Sequence, residues 1–172
     1  GDLYEKAFAF CDILIIGAGP TGLMAALTAG RAGADVILTD EDSVMGGRLN
    51  GETLSIGEQT GTDWAAKCVV ELAALPNVRL MSRTTVTGAY DQGTYGALER
   101  LHQSGQGAPE GVPIECFWRI VAKRVILAAG ALERGIAFAN NDRPGIMPAG
   151  AVRTYVNRWG VAPGQKTVVF GN

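Results

Sequence analysis

Short apolar runs alternate along the chain with longer stretches of helical spacing. Ile13-Leu14-Ile15-Ile16 is four branched residues with no polar one between them, and it reads as a strand buried on both faces. Behind it Leu23, Ala26, Leu27 and Gly30 recur at i, i+3, i+4 and i+7, one face of a helix that Gly33 is placed to stop. Val36-Ile37-Leu38-Thr39-Asp40 is the next buried strand, so residues 13–40 form a βαβ crossover. Trp64, Cys68, Leu72 and Leu75 predict a helix over 62–75, ended by Pro76-Asn77, with a third strand at 78–81. Residues 85–90 are β-branched and alternating, which predicts an antiparallel strand, and 94–101 reads as another. A polar hairpin tip follows at 102–111, then strands at 114–122 and 124–130, a helix at 149–159, and a strand at 166–172 that runs into glycine. Residues 1–11 are a lead-in whose Tyr4, Phe8 and Phe10 are suited to pack on another surface.

The first crossover carries a motif. Gly17-Ala18-Gly19-Pro20-Thr21-Gly22 joins its strand to its helix. Gly17 permits a tight turn, Gly19 lets a pyrophosphate approach the backbone, and Gly22 lets the helix pack close to the sheet. The helix N-terminus then directs N–H groups and a partial positive charge at the phosphates. Asp40 stands about 20 residues downstream, where an acid bonds the ribose hydroxyls. Glu41 and Asp42 follow it, and three acids in a row would repel a 2′-phosphate. Gly46-Gly47-Arg48 lies where a dinucleotide would continue past the pyrophosphate: two glycines allow close approach and Arg48 can form charge-assisted bonds. Residues 125–130 end in Ala128-Ala129-Gly130, whose backbone can come next to the cofactor.

The fold class that follows is α/β: a Rossmann-like FAD/NAD(P)-binding domain with a parallel sheet, flanking helices and a small antiparallel β excursion at 84–122. Residues 1–133 are the dinucleotide-binding domain. Residues 134–172 are a connecting segment and the start of a second, truncated nucleotide-binding-like unit, which suggests a piece of a longer polypeptide.

Composition narrows the choice. A net charge of −2 with no basic block gives no support for a nucleic acid or an anionic membrane surface as partner. Cys11, Cys68 and Cys116 lie far apart, which argues against a disulfide framework or a zinc site and for reduced thiols in a cytoplasmic protein. His102 is the only histidine and sits by a polar tip, so it reads as solvated. No side chain stands out as an acid, base, nucleophile or metal ligand. Arg134, Arg143, Arg153 and Arg158 make the C-terminal quarter basic, a solubility feature by default and a docking face as the second reading.

Taken together, residues 17–22, Asp40, Gly46-Gly47-Arg48 and Ala128-Ala129-Gly130 resemble the two-dinucleotide-domain flavoproteins. Leu132-Glu133-Arg134, residues 140–145 and Ala151-Val152-Arg153-Thr154-Tyr155 resemble, more specifically, the alpha subunit of heterotetrameric sarcosine oxidase, with opine oxidase and hydrogen cyanide synthase subunits as close relatives. The resemblance implies NAD at residues 17–22, with Val86 near the adenine, and places FAD, FMN and tetrahydrofolate in the full complex. It implies an oxidase that demethylates sarcosine to glycine with formation of hydrogen peroxide, acting with other subunits and further domains of the same polypeptide. Two alternatives stay open. One is FAD at the glycine turn of a self-contained flavin-dependent oxidoreductase or of an opine oxidase or hydrogen cyanide synthase subunit. The other is a non-catalytic module stapled by its dinucleotide.

Overall fold

Two 13-residue strands run side by side through the molecule, β1 (Tyr4–Ile16) and β8 (Glu115–Leu127), parallel and in register from Tyr4 opposite Glu115 to Ile16 opposite Leu127. The computed structural model describes residues 4–102 and 112–171. Between these two strands in sequence lie α1 (Pro20–Arg31), β2 (Val36–Thr39), β3 (Ser55–Ile56), β4 (Gln59–Thr60), α2 (Gly61–Ala74), β5 (Val78–Met81), β6 (Thr84–Tyr90) and β7 (Thr94–Arg100); α3 (Ala149–Trp159) follows. The main sheet has the order β5-β2-β1-β8-β7-β6. Its β5, β2, β1 and β8 are mutually parallel, and β7 and β6 continue it antiparallel, which is the predicted α/β architecture with its antiparallel excursion. Strands β3 and β4 form a separate two-residue hairpin.

Each face of this sheet has its own core. Leu23, Ala26 and Leu27 of α1 and Ala65, Cys68 and Leu72 of α2 pack with Ile15, Val36 and Leu38 on one face. The other face gathers Ala9, Cys11, Leu14, Ile37, Met81, Ala97, Ile120 and Ala122. Alternation along β1 sends Leu14 and Ile15 to opposite cores, and both are fully buried. Helix α2 is started by Thr60, whose hydroxyl accepts from the Asp63 N–H at 3.1 Å. Gly33, at φ +86°, turns the chain after α1 as its position predicts.

Three expectations change. The lead-in is not separate: β1 begins at Tyr4, because its N-terminal half finds a ladder partner in Glu115–Ala122. Tyr4, Phe8 and Phe10 stand on the outer face of that strand, 69%, 65% and 76% exposed. The strands expected at 114–122 and 124–130 are one, because β1 lies beside both halves as a continuous ladder partner; a Lys123–Asp12 ion pair at 2.6 Å links the two strands at the middle. That pair holds the Asp12 carboxyl below its ordinary range. Residues 166–171 form no strand, although Val168 and Val169 suit one, because no described strand lies beside them to complete a ladder; Phe170 instead meets Phe138 edge-on at 5.9 Å. Most of the expected hairpin tip, residues 103–111, lies outside the described residues.

Candidate dinucleotide-binding site

The parallel strands end together, and the glycine turn sits at their C-terminal edge, where open α/β sheets bind ligands. The Gly17 N–H donates to the Thr39 carbonyl and the Ala128 N–H to the Ile16 carbonyl, each at 2.8 Å, which ties the ends of β2, β1 and β8 into one rim. Gly17 has φ +100°, and a Cβ there would overlap the Ala128 carbonyl oxygen. At Gly22 a Cβ would overlap the Gly17 carbonyl oxygen. The protein's own backbone fills those two places. Gly19 differs: a Cβ there would meet nothing within 4 Å. The space beside the middle glycine is open, as a pyrophosphate requires.

Helix α1 begins at this opening. Gly19 is its N-cap, with no side-chain cap, and Pro20 fills the first turn, where a missing N–H is no loss. The Leu23 N–H bonds the Gly19 carbonyl at 2.9 Å, while those of Thr21 and Gly22 find no acceptor among the described residues. These donors, added to the helix dipole, suit a bound anion. The cradle therefore fits the phosphates of a dinucleotide.

Asp40 is half-buried beside it and doubly held. Its Oδ2 accepts from the Ala18 N–H at 2.6 Å and its Oδ1 from the Asp42 N–H at 2.8 Å. Each carboxylate oxygen keeps a second lone pair, so the brace leaves capacity for ribose hydroxyls. The Thr84 N–H donates to the Asp40 carbonyl at 2.8 Å, which brings the start of β6 to the same edge. Val86 stands two residues on, half-buried against the second core. Glu41 is exposed.

The Gly46 N–H bonds the Ala18 carbonyl at 2.9 Å. Gly47, at φ +55°, lies so near Gly19 that its Cβ would come within 2.9 Å of the Gly19 Cα. Arg48, 70% exposed, turns to Glu52 at 3.3 Å. Ala129 and Gly130 are exposed just past the rim, with Gly130 at φ +69°. The glycine-containing segments singled out from sequence thus converge on one edge.

The sequence reading missed the partner of this edge. Helix α3 lies against the turn at Gly47–Gly51. Its Asn157 amide donates to the Gly51 carbonyl at 3.0 Å, its Arg153 pairs with Glu52 at 3.0 Å, and its Arg158 grips Asp42 through two nitrogens at 2.5 and 2.9 Å. The Arg158 fork holds the Asp42 carboxyl down at about 2. Asp42 is therefore not a free repelling charge, which corrects the expectation that all three acids after β2 repel a 2′-phosphate. The excess of arginine in the C-terminal quarter was the available signal; Arg153 and Arg158 pair with acids of the same chain.

Elsewhere, a concavity of about 510 Å³ is lined by Tyr90, Asp91, Tyr95, Phe117 and Arg119, and one of about 600 Å³ by Gln59, Asp63, Lys67 and Glu71; neither touches the glycine turn. Among the described residues no group of His, Cys, Asp and Glu is placed to hold a metal ion, and no helix is long and apolar enough to cross a membrane. The three cysteines are free and buried.

Comparison with known proteins agrees with this fold. The family model of FAD-dependent oxidoreductases matches residues 12–129, more than half the chain, and the chain belongs to that family. It is 52% identical over 169 residues to the alpha subunit of sarcosine oxidase from Rhizobium meliloti, with 98% of this chain and 17% of that protein covered. It is 34% identical to an opine oxidase subunit from Agrobacterium tumefaciens, with 94% of this chain and 32% of that protein covered. The chain thus spans less than a fifth of the length of its sarcosine oxidase relative. The solved L-proline dehydrogenase of P. horikoshii has the same fold, at a TM-score of 0.75 and 26% identity, over 94% of this chain and 31% of that one.

Proposed function

We propose that this chain is the NAD-binding domain of an oxidoreductase subunit of the sarcosine oxidase type. The observation that carries the dinucleotide site is the contrast among its glycines: the places beside Gly17 and Gly22 are filled by backbone, the place beside Gly19 is open, and Asp40 is braced on Ala18 next to it. Gly17, Gly19, Pro20, Thr21 and Gly22 would hold the phosphates, Asp40 and Glu41 the ribose side, and Val86 the adenine. Gly46, Gly47, Arg48, Ala129 and Gly130 would line the path beyond. When bound, the cofactor's ring supplies the redox chemistry; this chain's residues bind and orient it.

In the whole protein the activity would be oxidative demethylation of sarcosine to glycine with hydrogen peroxide formed and the one-carbon unit passed to tetrahydrofolate. FAD and FMN would be held elsewhere in a cytoplasmic complex with other subunits and further domains. The higher identity to a sarcosine oxidase chain supports this reading over the opine oxidase one.

FAD at the glycine turn is the second reading, favoured by the family whose model matches residues 12–129. Mass spectrometry of the small molecule released on denaturation separates the two. Release of NAD supports the first reading and release of FAD the second. A protein that releases neither, and binds neither on titration, overturns both.

A further inference from the structure

The three acids after β2 have unequal surroundings. Asp40 is committed to the Ala18 and Asp42 N–H groups. Glu41 is exposed. Asp42 is caught by Arg158, which reaches it from a helix 116 positions away in sequence. Arg158 is only 18% exposed and close enough to Asp40 to feel its charge, which raises the guanidinium pKa after the larger effect of Asp42 itself. Its Cζ lies 4.7 Å from the centre of the Trp159 ring. Helix α3 is itself pinned, by Asn157 on Gly51 and Arg153 on Glu52, so Arg158 is delivered to this edge by several contacts and not by Asp42 alone.

A planar guanidinium fork matches a phosphate as well as it matches a carboxylate. The fold therefore brings to the ribose end of the site the side-chain type that reads a 2′-phosphate, and Asp42 occupies it. We propose that the Asp42–Arg158 pair decides which adenosine ribose the site accepts: Asp42 keeps Arg158 engaged and the site selects a free 2′-hydroxyl, whereas a released Arg158 becomes a ligand for a 2′-phosphate. This rests on the dinucleotide reading of the glycine turn and holds for NAD and FAD alike, since both carry the same adenosine half.

The test is calorimetric titration of the apo full chain with adenosine 5′-monophosphate and adenosine 2′,5′-bisphosphate. The wild type, Asp42→Asn, Arg158→Gln and the double variant are compared. The wild type should prefer the monophosphate. Asp42→Asn should narrow that preference by about tenfold, the double variant should lose the gain, and Arg158→Gln alone should widen the preference because Asp42 is left unpaired. Both single variants break the same pair, so a loosened α3 would move them alike; opposite movements separate selectivity from structure. A preference unchanged in Asp42→Asn, or a gain that survives in the double variant, overturns the proposal while leaving the dinucleotide site standing. Should Asp42→Asn fail to fold, an unwidened preference in Arg158→Gln overturns it equally. A wild type that binds neither nucleotide overturns the dinucleotide reading and this proposal together.

Discussion

Gly22 packs so closely on Gly17 that a single methyl group at position 22 would overlap the Gly17 carbonyl oxygen. Gly17 in turn leaves no room for a methyl against Ala128, while Gly19 between them faces open space. The three glycines of one motif therefore stand in different surroundings, two closed by the protein's own packing and one open at the place proposed for the phosphates.

Substitutions should separate along that line. Gly22→Ala forces backbone apart and should cost about 1–3 kcal/mol or more of stability. Gly17→Ala adds strain at positive φ to a similar overlap. Gly19→Val sits at φ −70° in open space and should leave the thermal midpoint almost unchanged while dinucleotide affinity collapses. Thermal melts and titration of the three variants check this; unaltered affinity in folded Gly19→Val would remove the turn as the phosphate site.

The Asp42–Arg158 pair should make stability depend on acid. The folded Asp42 carboxyl titrates at about 2, below the ordinary 3.8. A depressed carboxyl contributes stability above the unfolded value, and the contribution fades as pH falls from 3.8 toward 2. Arg158→Ala should thus lower stability at pH 7 by about 1 kcal/mol, solvent screening at this partly exposed site taken into account, and by progressively less as pH drops through that window. Urea melts of wild type and variant at pH 7 and pH 3 read the difference; a gap that stays constant would refute it.

Asp40 bears on both the turn and the ribose. Asp40→Ala removes the acceptor of the Ala18 N–H and the partner proposed for the ribose hydroxyls. Charge-assisted bonds of this kind are worth roughly 1.5–3 kcal/mol each, so NAD affinity should fall at least tenfold. The wild type should bind NAD far more tightly than NADP. Calorimetric titration measures both, and equal wild-type affinities would mean that Asp40 does not face the ribose.

The thiols should be silent until the fold opens. Burial raises Cys11 to about 11 and also raises Cys68 and Cys116, so little thiolate exists at pH 8. A disulfide-exchange reagent should react slowly with native protein and rapidly with all three thiols in urea. Fast modification of the native chain would show that one of them lies open.

Much of this molecule is written in local pattern. The period of the apolar residues in Leu23–Gly30 and Trp64–Leu75 marks two helices, because a helix shows its buried face every three to four residues. The unbroken apolar runs at Ile13 and Val36 mark strands covered on both faces, and glycines between strand and helix mark the turn that a phosphate site needs. The sequence by itself therefore determined the crossover, the α/β class and the position of the candidate site.

What it could not determine depends on partners remote along the chain. Tyr4–Phe10 is a strand because Glu115–Ala122 lies beside it, whereas the more strand-prone Val168–Phe170 is not one, with no described strand beside it. The acids at 40–42 read alike in sequence, yet only the docking of α3 puts Arg158 on Asp42 and leaves Glu41 exposed. Hydrogen-bond ladders and ion pairs join groups close in space whatever their separation along the chain, so local pattern carries the elements, and packing alone decides which of their side chains meet.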